Sequence, residues 1–101
     1  MAIKIKFHGR IKDMVGTDEL VIKSKDLNTV RDVINELLRR YGERLKNVLR
    51  NPDEVLQPRC RVIVLVNGFS VKMLGSLDSP LRGDEEVVVD HIDVMEFFGG
   101  G

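Results

Sequence analysis

The chain has 101 residues, 43% of them hydrophobic and 32% charged, with 16 Lys and Arg against 16 Asp and Glu. This length predicts one domain that buries about 65% of the surface of its unfolded chain, and a formal charge of zero argues against a nucleic-acid-binding protein. The longest apolar run, residues 62–66, is far below the roughly 20 residues of a membrane span, so no membrane helix is expected.

The N-terminus and the cysteine content narrow the class of protein further. The first residues alternate at once, without an apolar signal core or a cleavage site, so we expect a cytoplasmic protein. Cys60 is the only cysteine, which excludes an internal disulfide and a cysteine-rich zinc site. Its simplest role is that of a small residue where a strand begins.

Two strands are predicted at the start of the chain. Apolar and polar side chains alternate from Ile3 to His8, which predicts a strand with one buried face over residues 2–8. Residues 19–24 form a second extended segment, close enough in sequence to pair with the first. A helical turn is expected over residues 10–15, between the two strands.

A helix is predicted over residues 29–41. Its apolar stripe has helical spacing and consists of Val30, Val33, Ile34, Leu37, Leu38 and Tyr41. Thr29 and Asp32 have the capping-box spacing, with Asn28 as a competing N-cap, and Gly42 suits a left-handed C-terminal cap. Basic residues gather near the end of this helix, and a solvated helix end explains them better than a binding patch does: Arg39, Arg40, Arg44, Lys46 and Arg50.

Residues 43–60 are interpreted as a long crossover. Leu45, Val48 and Leu49 can share one short helix, which Pro52 and Pro58 would keep from continuing.

A hairpin and a last strand follow the crossover. Residues 61–66 are predicted to form a strand, Asn67 and Gly68 the centre of a type I′ turn, and residues 69–72 the returning strand. A tight helical turn is expected over residues 77–81 and a loop over residues 82–84.

Residues 85–91 are predicted to form the last strand. Three successive valines, residues 87–89, indicate burial on both faces and therefore a place in the middle of the sheet. The chain thus predicts five strands, with one main helix to cover one face of a mixed sheet.

The C-terminus ends in two phenylalanines and three glycines, residues 97–101. Three residues without side chains make a narrow segment that cannot pack a core, and they end in a carboxylate that is ionised at neutral pH. Such a tail fits insertion into a second protein that activates the carboxylate. The alternative is a frayed terminus or a cloning remnant.

Other residues that could act as acids, bases or metal ligands form no convincing site in the sequence. Asp90, His91, Asp93 and Glu96 are close in sequence, but strand alternation sends Asp90 and His91 to opposite faces, so solvated polar residues are the better interpretation. His8 has no nearby nucleophile motif, and no phosphate-binding loop occurs. We therefore expect no self-contained active site and no metal site.

Five segments occur in a diagnostic order before the glycine terminus: Ile3–Phe7, Met14–Thr17, Thr29–Val30, Val66–Gly68 and Leu81–Val87. This order resembles the MoaD/ThiS sulfur carriers, which are ubiquitin-like proteins, over nearly the whole chain except the crossover. The resemblance implies an α+β, ubiquitin-like β-grasp fold with a sheet of order 2-1-5-3-4. The first and last strands would be parallel at its centre, with the helix packed across the sheet. The chain would then comprise a domain over residues 1–92 and a flexible functional tail over residues 93–101.

The resemblance also implies a function. In such carriers an E1-like enzyme uses ATP to adenylate the C-terminal glycine, sulfur from a donor protein replaces AMP to give a thiocarboxylate, and a partner enzyme receives the sulfur. The most similar subgroup is the small subunit of molybdopterin synthase, whose tail enters the large subunit during molybdenum cofactor biosynthesis. Gly101 would be the reacting residue, and Phe97, Phe98, Gly99 and Gly100 would contact the partner. The chain would bind no cofactor of its own and would act as a non-autonomous subunit of a sulfur transferase complex.

Two features depart from the family pattern. Family tails normally end in two glycines, so the reacting carboxylate belongs to Gly101, or to Gly100 if one residue is trimmed. Phe97 and Phe98 are bulkier than the usual segment before the glycines. The alternatives are a ubiquitin-like modifier joined to lysines through its terminal glycine, a sulfur carrier for tRNA thiolation or thiamin synthesis, and a binding module with an idle tail.

Overall fold

A computed structural model gives the structure of the protein and describes residues 2–23, 25 and 27–92. The strands are β1 (Ile3–Phe7), β2 (Glu19–Ile22), β3 (Val62–Val66), β4 (Phe69–Ser70) and β5 (Glu86–His91). The helices are α1 (Gly9–Val15), α2 (Val30–Leu45) and α3 (Val71–Leu74), with a 3₁₀ helix over Pro52–Leu56. In the described part of the chain, no helix has the length and apolar character to cross a membrane.

The five strands form one mixed sheet of order β2-β1-β5-β3-β4. β1 and β5 pair in parallel, and the other neighbouring strands pair antiparallel. The predicted order is confirmed, and so is the central place of the valine-rich last strand. Asn67 and Gly68 both have positive φ, 49° and 87°, as a type I′ turn requires.

α2 covers one face of this sheet. The core-facing residues of the strands alternate with exposed or half-buried ones, and Ile5, Val62 and Val87 are all completely buried. From α2, Val33 and Leu37 pack into the same core, and Tyr41 meets Phe7 edge to face at 6.0 Å. The predicted apolar stripe therefore faces the sheet.

The start of α2 is confirmed and its predicted end is wrong. Thr29 is the N-cap: its side chain accepts the amide of Asp32 at 3.2 Å, and the Asp32 carboxylate accepts the amides of Thr29 and Asn28. The helix passes through Gly42 and ends at Leu45, which is buried. Burial of Leu45 outweighs the weak local preference of Gly42 for a cap.

The end of the hairpin also differs from expectation. The returning strand stops at Ser70, and the chain turns into α3, which places Val71 in the core. The Ser70 hydroxyl accepts the amide of Lys72 and so caps this turn. The predicted helical turn over residues 77–81 is absent; that segment has bends at Leu77 and Ser79, and Pro80 forms a β-bridge with Thr29.

The crossover is held to the domain by buried apolar residues and by one arginine. Leu49 and Val55 are buried, the latter in the 3₁₀ helix that starts at Pro52. Arg31 of α2 donates to Asp53 at 2.8 Å and to Asp78 at 2.9 Å, which connects α2 with the crossover and with the loop before β5. The pKa of Asp78 is lowered, chiefly by its hydrogen bond from Arg31.

Ion pairs and hydrogen bonds to main-chain oxygens engage the basic residues near the end of α2. The Glu36 carboxylate accepts from Arg39 at 2.7 Å and from Arg40 at 2.9 Å, and these two hydrogen bonds lower the pKa of Glu36 to about 2. Lys46 pairs with Glu43, and Arg44 donates to the main-chain oxygen of Val15. These basic residues are exposed and bonded within the domain, which favours the interpretation as a solvated helix end.

Candidate functional site

The candidate site begins where the central strand β5 ends, at His91 and Ile92, which we call the tail root. On one side, His91 pairs with Val62, and the Ile92 amide donates to the Arg61 oxygen at 2.8 Å. On the other side, the His8 amide donates to the Val89 oxygen at 3.0 Å. Main-chain hydrogen bonds on both sides therefore fix the end of β5 in the sheet.

Gly9 allows α1 to start directly against the end of β5. Its φ is +55°, and a Cβ there would lie 3.0 Å from a carboxylate oxygen of Asp90 and 3.8 Å from the main-chain oxygen of His91. A side chain at this position would be strained by the backbone angle and crowded by Asp90. The sequence shows this glycine, but only the fold reveals that it adjoins the tail root.

The predicted reacting and partner-binding residues lie beyond the tail root. Phe97, Phe98, Gly99, Gly100 and Gly101 are outside the described residues, so their roles stay predictions. The division into a domain over residues 1–92 and a tail over residues 93–101 likewise stays a prediction.

The polar residues at the tail root do not combine into a catalytic pair. Asp90 pairs with Ile63 and His91 with Val62, so the two side chains lie on opposite faces of the sheet, as predicted. The Asp90 carboxylate accepts the amide of His91 at 2.7 Å. Within residues 2–23, 25 and 27–92, no group of three or more His, Cys, Asp and Glu side chains could hold a metal ion.

The face of the sheet opposite α2, which we call the open face, carries an apolar stripe that leads to the tail root. Ile63, Leu65 and Val88 are half-buried there, and register places Leu65 beside Val88. Ion pairs flank the stripe on the β1 side, between Lys4 and Glu19 and between Lys6 and Glu86. Val87 and Val89 are buried on the core face of β5, whereas Val88 is half-buried on the open face. The sequence prediction of burial on both faces is therefore wrong for Val88.

A second apolar surface lies at the other end of the sheet. Phe69, Met73 and Leu74 are 62%, 80% and 52% exposed. Phe69 pairs with Val66, which pairs with Val87 near the start of β5, so this surface is remote from the tail root. The sequence interpretation missed it because residues 69–72 were assigned to a strand.

The sequence matches the model of the ThiS family over residues 5–101. No curated protein matches the chain.

Solved structures share the fold. A protein assigned as molybdopterin converting factor subunit 1 from Pyrococcus furiosus is 27% identical, with a TM-score of 0.73 over 92% of this chain and 99% of that one. Small archaeal modifier protein 1 from Methanosarcina acetivorans is 22% identical, with a TM-score of 0.68 over 89% and 91%. A chain in the complex of subunits 1 and 2 of the molybdopterin-converting factor from Helicobacter pylori is 17% identical, with a TM-score of 0.59 over 92% and 96%.

Proposed function

The chain belongs to the ThiS family and has the ubiquitin-like sulfur-carrier fold, and we propose that it carries sulfur as a thiocarboxylate on its C-terminal glycine. The observation that carries the proposal is the family match through Gly101, in a chain whose last strand is the centre of the sheet. In this arrangement the reacting residue follows the most firmly held strand of the domain.

The chemistry requires a partner that activates the carboxylate. A carboxylate is a poor electrophile because its charge repels a sulfur nucleophile and it has no good leaving group. An E1-like enzyme would use ATP to convert the Gly101 carboxylate to an acyl adenylate. A sulfur nucleophile at the oxidation level of sulfide, released from a donor protein, would then attack the acyl carbon, displace AMP and leave the thiocarboxylate.

The length of the tail fits delivery inside a partner. Residues 93–101, when fully extended, reach about 30 Å beyond the tail root. Glycines without Cβ atoms pass through a narrow channel, and Phe97 and Phe98 would bind at its mouth. The apolar stripe of the open face adjoins the tail root and would extend this docking surface.

We assign the sulfur to molybdopterin synthesis, with this chain as the small subunit and a large subunit as the acceptor. The likeness to the Pyrococcus furiosus protein, at 27% identity, supports this pathway, and the complex from Helicobacter pylori supports a two-subunit arrangement. In this role the chain is a non-autonomous subunit, since the acceptor supplies the site where the sulfur is used.

A second function is compatible with the same fold. The likeness to the modifier from Methanosarcina acetivorans favours conjugation of the terminal glycine to lysines of other proteins. Sulfur transfer in tRNA thiolation or thiamin synthesis uses the same activation chemistry and is also compatible.

A reconstituted reaction separates these functions. The purified chain would be incubated with the adenylating enzyme encoded in its source genome, ATP and a sulfur donor, and then with the large subunit and the molybdopterin precursor. Sulfur transfer to the precursor supports the proposal, while lysine conjugates in place of transfer support the modifier function. Absence of adenylation would contradict both.

A further inference from the structure

The arginines of the chain divide into two groups. Nine arginines occur in the sequence, and five of them donate side-chain hydrogen bonds to other parts of the domain. These five are Arg31, Arg39, Arg40, Arg44 and Arg50. Within the described residues, the other four have no side-chain hydrogen bond or ion pair, and all four are exposed: Arg10, Arg59, Arg61 and Arg82.

Three of these four exposed arginines lie in segments next to the tail root. The main-chain oxygen of Arg61 accepts the Ile92 amide, and Arg59 precedes it by two residues. Arg10 follows Gly9, which adjoins Asp90 and His91. Arg82, in contrast, lies before the start of β5, at the opposite end of that strand.

The carboxylates at this end of the sheet form no ion pair with the three arginines in the described structure. Glu54 lines the same surface cavity as Arg59 and Arg61, but its carboxylate accepts the amides of Arg50 and Asn51. Asp90 lies on the open face and accepts a main-chain amide, and Asp18 lies beside Phe7, whose amide donates to the Asp18 main-chain oxygen. Neither carboxylate is within ion-pair distance of Arg10, Arg59 or Arg61 in the described structure. Three arginines that form no ion pair in the described structure therefore lie in the segments next to the tail root.

We propose that Arg10, Arg59 and Arg61 form a basic rim that docks on an acidic surface around the channel mouth of the adenylating partner. This inference rests on the proposed function, in which the tail enters that partner. Arginine suits such a rim because its planar guanidinium binds carboxylates in two-pronged geometry and loses less hydration than lysine. Opposite charge around the tail would orient the chain before the narrow tail enters the channel.

Charge reversal with a matched control tests the proposal. Arg59→Glu and Arg61→Glu each change the net charge by the same amount as Arg82→Glu, which lies at the other end of β5. The association rate with the purified adenylating enzyme would be measured at low and high salt. We expect each rim variant to associate about tenfold more slowly at low salt, with a weaker salt dependence, and Arg82→Glu to match the wild type.

Neutral variants test whether a folding defect, and not the reversed charge, slows association. Arg59→Gln and Arg61→Gln should slow association by less than the glutamate variants, with unchanged melting temperatures. Equal association rates for rim and control variants would overturn the inference, and adenylation of the wild type in the same experiment would leave the proposed function intact. No adenylation of the wild type would instead remove the proposed function and the inference with it.

The carboxylates of Asp93 and Glu96 in the tail could bind the basic rim in place of an acidic surface on the partner. The test is therefore repeated with Asp93→Asn and Glu96→Gln in the same chain. If reversal of Arg59 and Arg61 slows association equally in this background, the acidic surface belongs to the partner. If the effect disappears, the rim binds the tail and the inference is wrong.

Discussion

The two faces of the sheet come from the same strands but are covered differently. On the face under α2, Ile5, Val62 and Val87 are completely buried, whereas on the open face Leu65 and Val88 are only half-buried. Strand alternation separates the residues that hold the fold from those available to a partner. Substitutions on the open face should therefore change the surface of the domain without disturbing its core.

The largest expected effect comes from the tail. Deletion of Gly100 and Gly101 should abolish adenylation and sulfur transfer because the new terminal carboxylate, on Gly99, would end two residues short of the adenylating site, and the deletion should leave the melting temperature within error. Calorimetry and an adenylation assay check the two parts. A truncated chain that still becomes a thiocarboxylate would contradict the separation of fold and function.

Changes at the last residue test which glycine carries the reacting carboxylate. Gly101→Val should also block adenylation, because a branched Cβ obstructs the channel and the approach to the carbonyl carbon. Higher activity after removal of Gly101 alone would show that Gly100 is the mature terminus.

The residues between α2 and the sheet should contribute most to the stability of the domain. Leu37 of α2 is 3% exposed, so Leu37→Ala should lower the free energy of unfolding by about 2 to 5 kcal/mol through lost burial and a residual cavity. Adenylation below the melting temperature should persist. Urea denaturation measures the loss, with Asn35→Ala on the exposed side of α2 as the control; equal stability of the two variants would show that the helix face is wrongly assigned.

The tail phenylalanines should contribute to binding of the partner and not to the stability of the domain. Phe98→Ala should weaken the complex with the large subunit about tenfold or more, since burial of one ring is worth about 1.5 to 3 kcal/mol. The melting temperature should hardly change. Phe69→Ala is the matched control, because Phe69 is exposed but lies at the other end of the sheet; an equal loss of affinity in both variants would mean that docking does not centre on the tail.

The smallest effect concerns the ion pairs of α2. Because the arginine hydrogen bonds lower the pKa of Glu36 from 4.5 to about 2, its contribution to stability is present above pH 4.5 and disappears as the pH falls towards 2. Glu36→Gln should thus be less stable than the wild type at pH 7, and the difference should shrink below pH 4.5. Denaturant titrations at several pH values measure it, with Glu43→Gln as the more exposed control; a constant difference across this range would contradict the assignment.

The sequence predicted the elements whose pattern is local and regular. Alternation at Ile3–Phe7, the capping box at Thr29 and the turn at Asn67 each depend on neighbouring residues, and the structure confirms all three. The sheet order came instead from the resemblance to the carrier family.

Elements decided by distant contacts could not be predicted. α2 continues past Gly42 because Leu45 reaches the core, and the chain turns at Ser70 because Val71 does. The grouping of Arg10 with Arg59 and Arg61 likewise follows from strand pairing between segments about 50 residues apart in sequence. The reacting glycines were predicted from composition and family resemblance and stay a prediction.

The intact mass of the protein purified from its own cells tests the central claim most directly. Replacement of one carboxylate oxygen by sulfur adds about 16 Da, and fragmentation should place that addition on the C-terminal glycine. We expect this species in the wild type, and its loss after deletion of Gly100 and Gly101. A terminal glycine found only as a free carboxylate, or only in conjugates with lysines of other proteins, would contradict it.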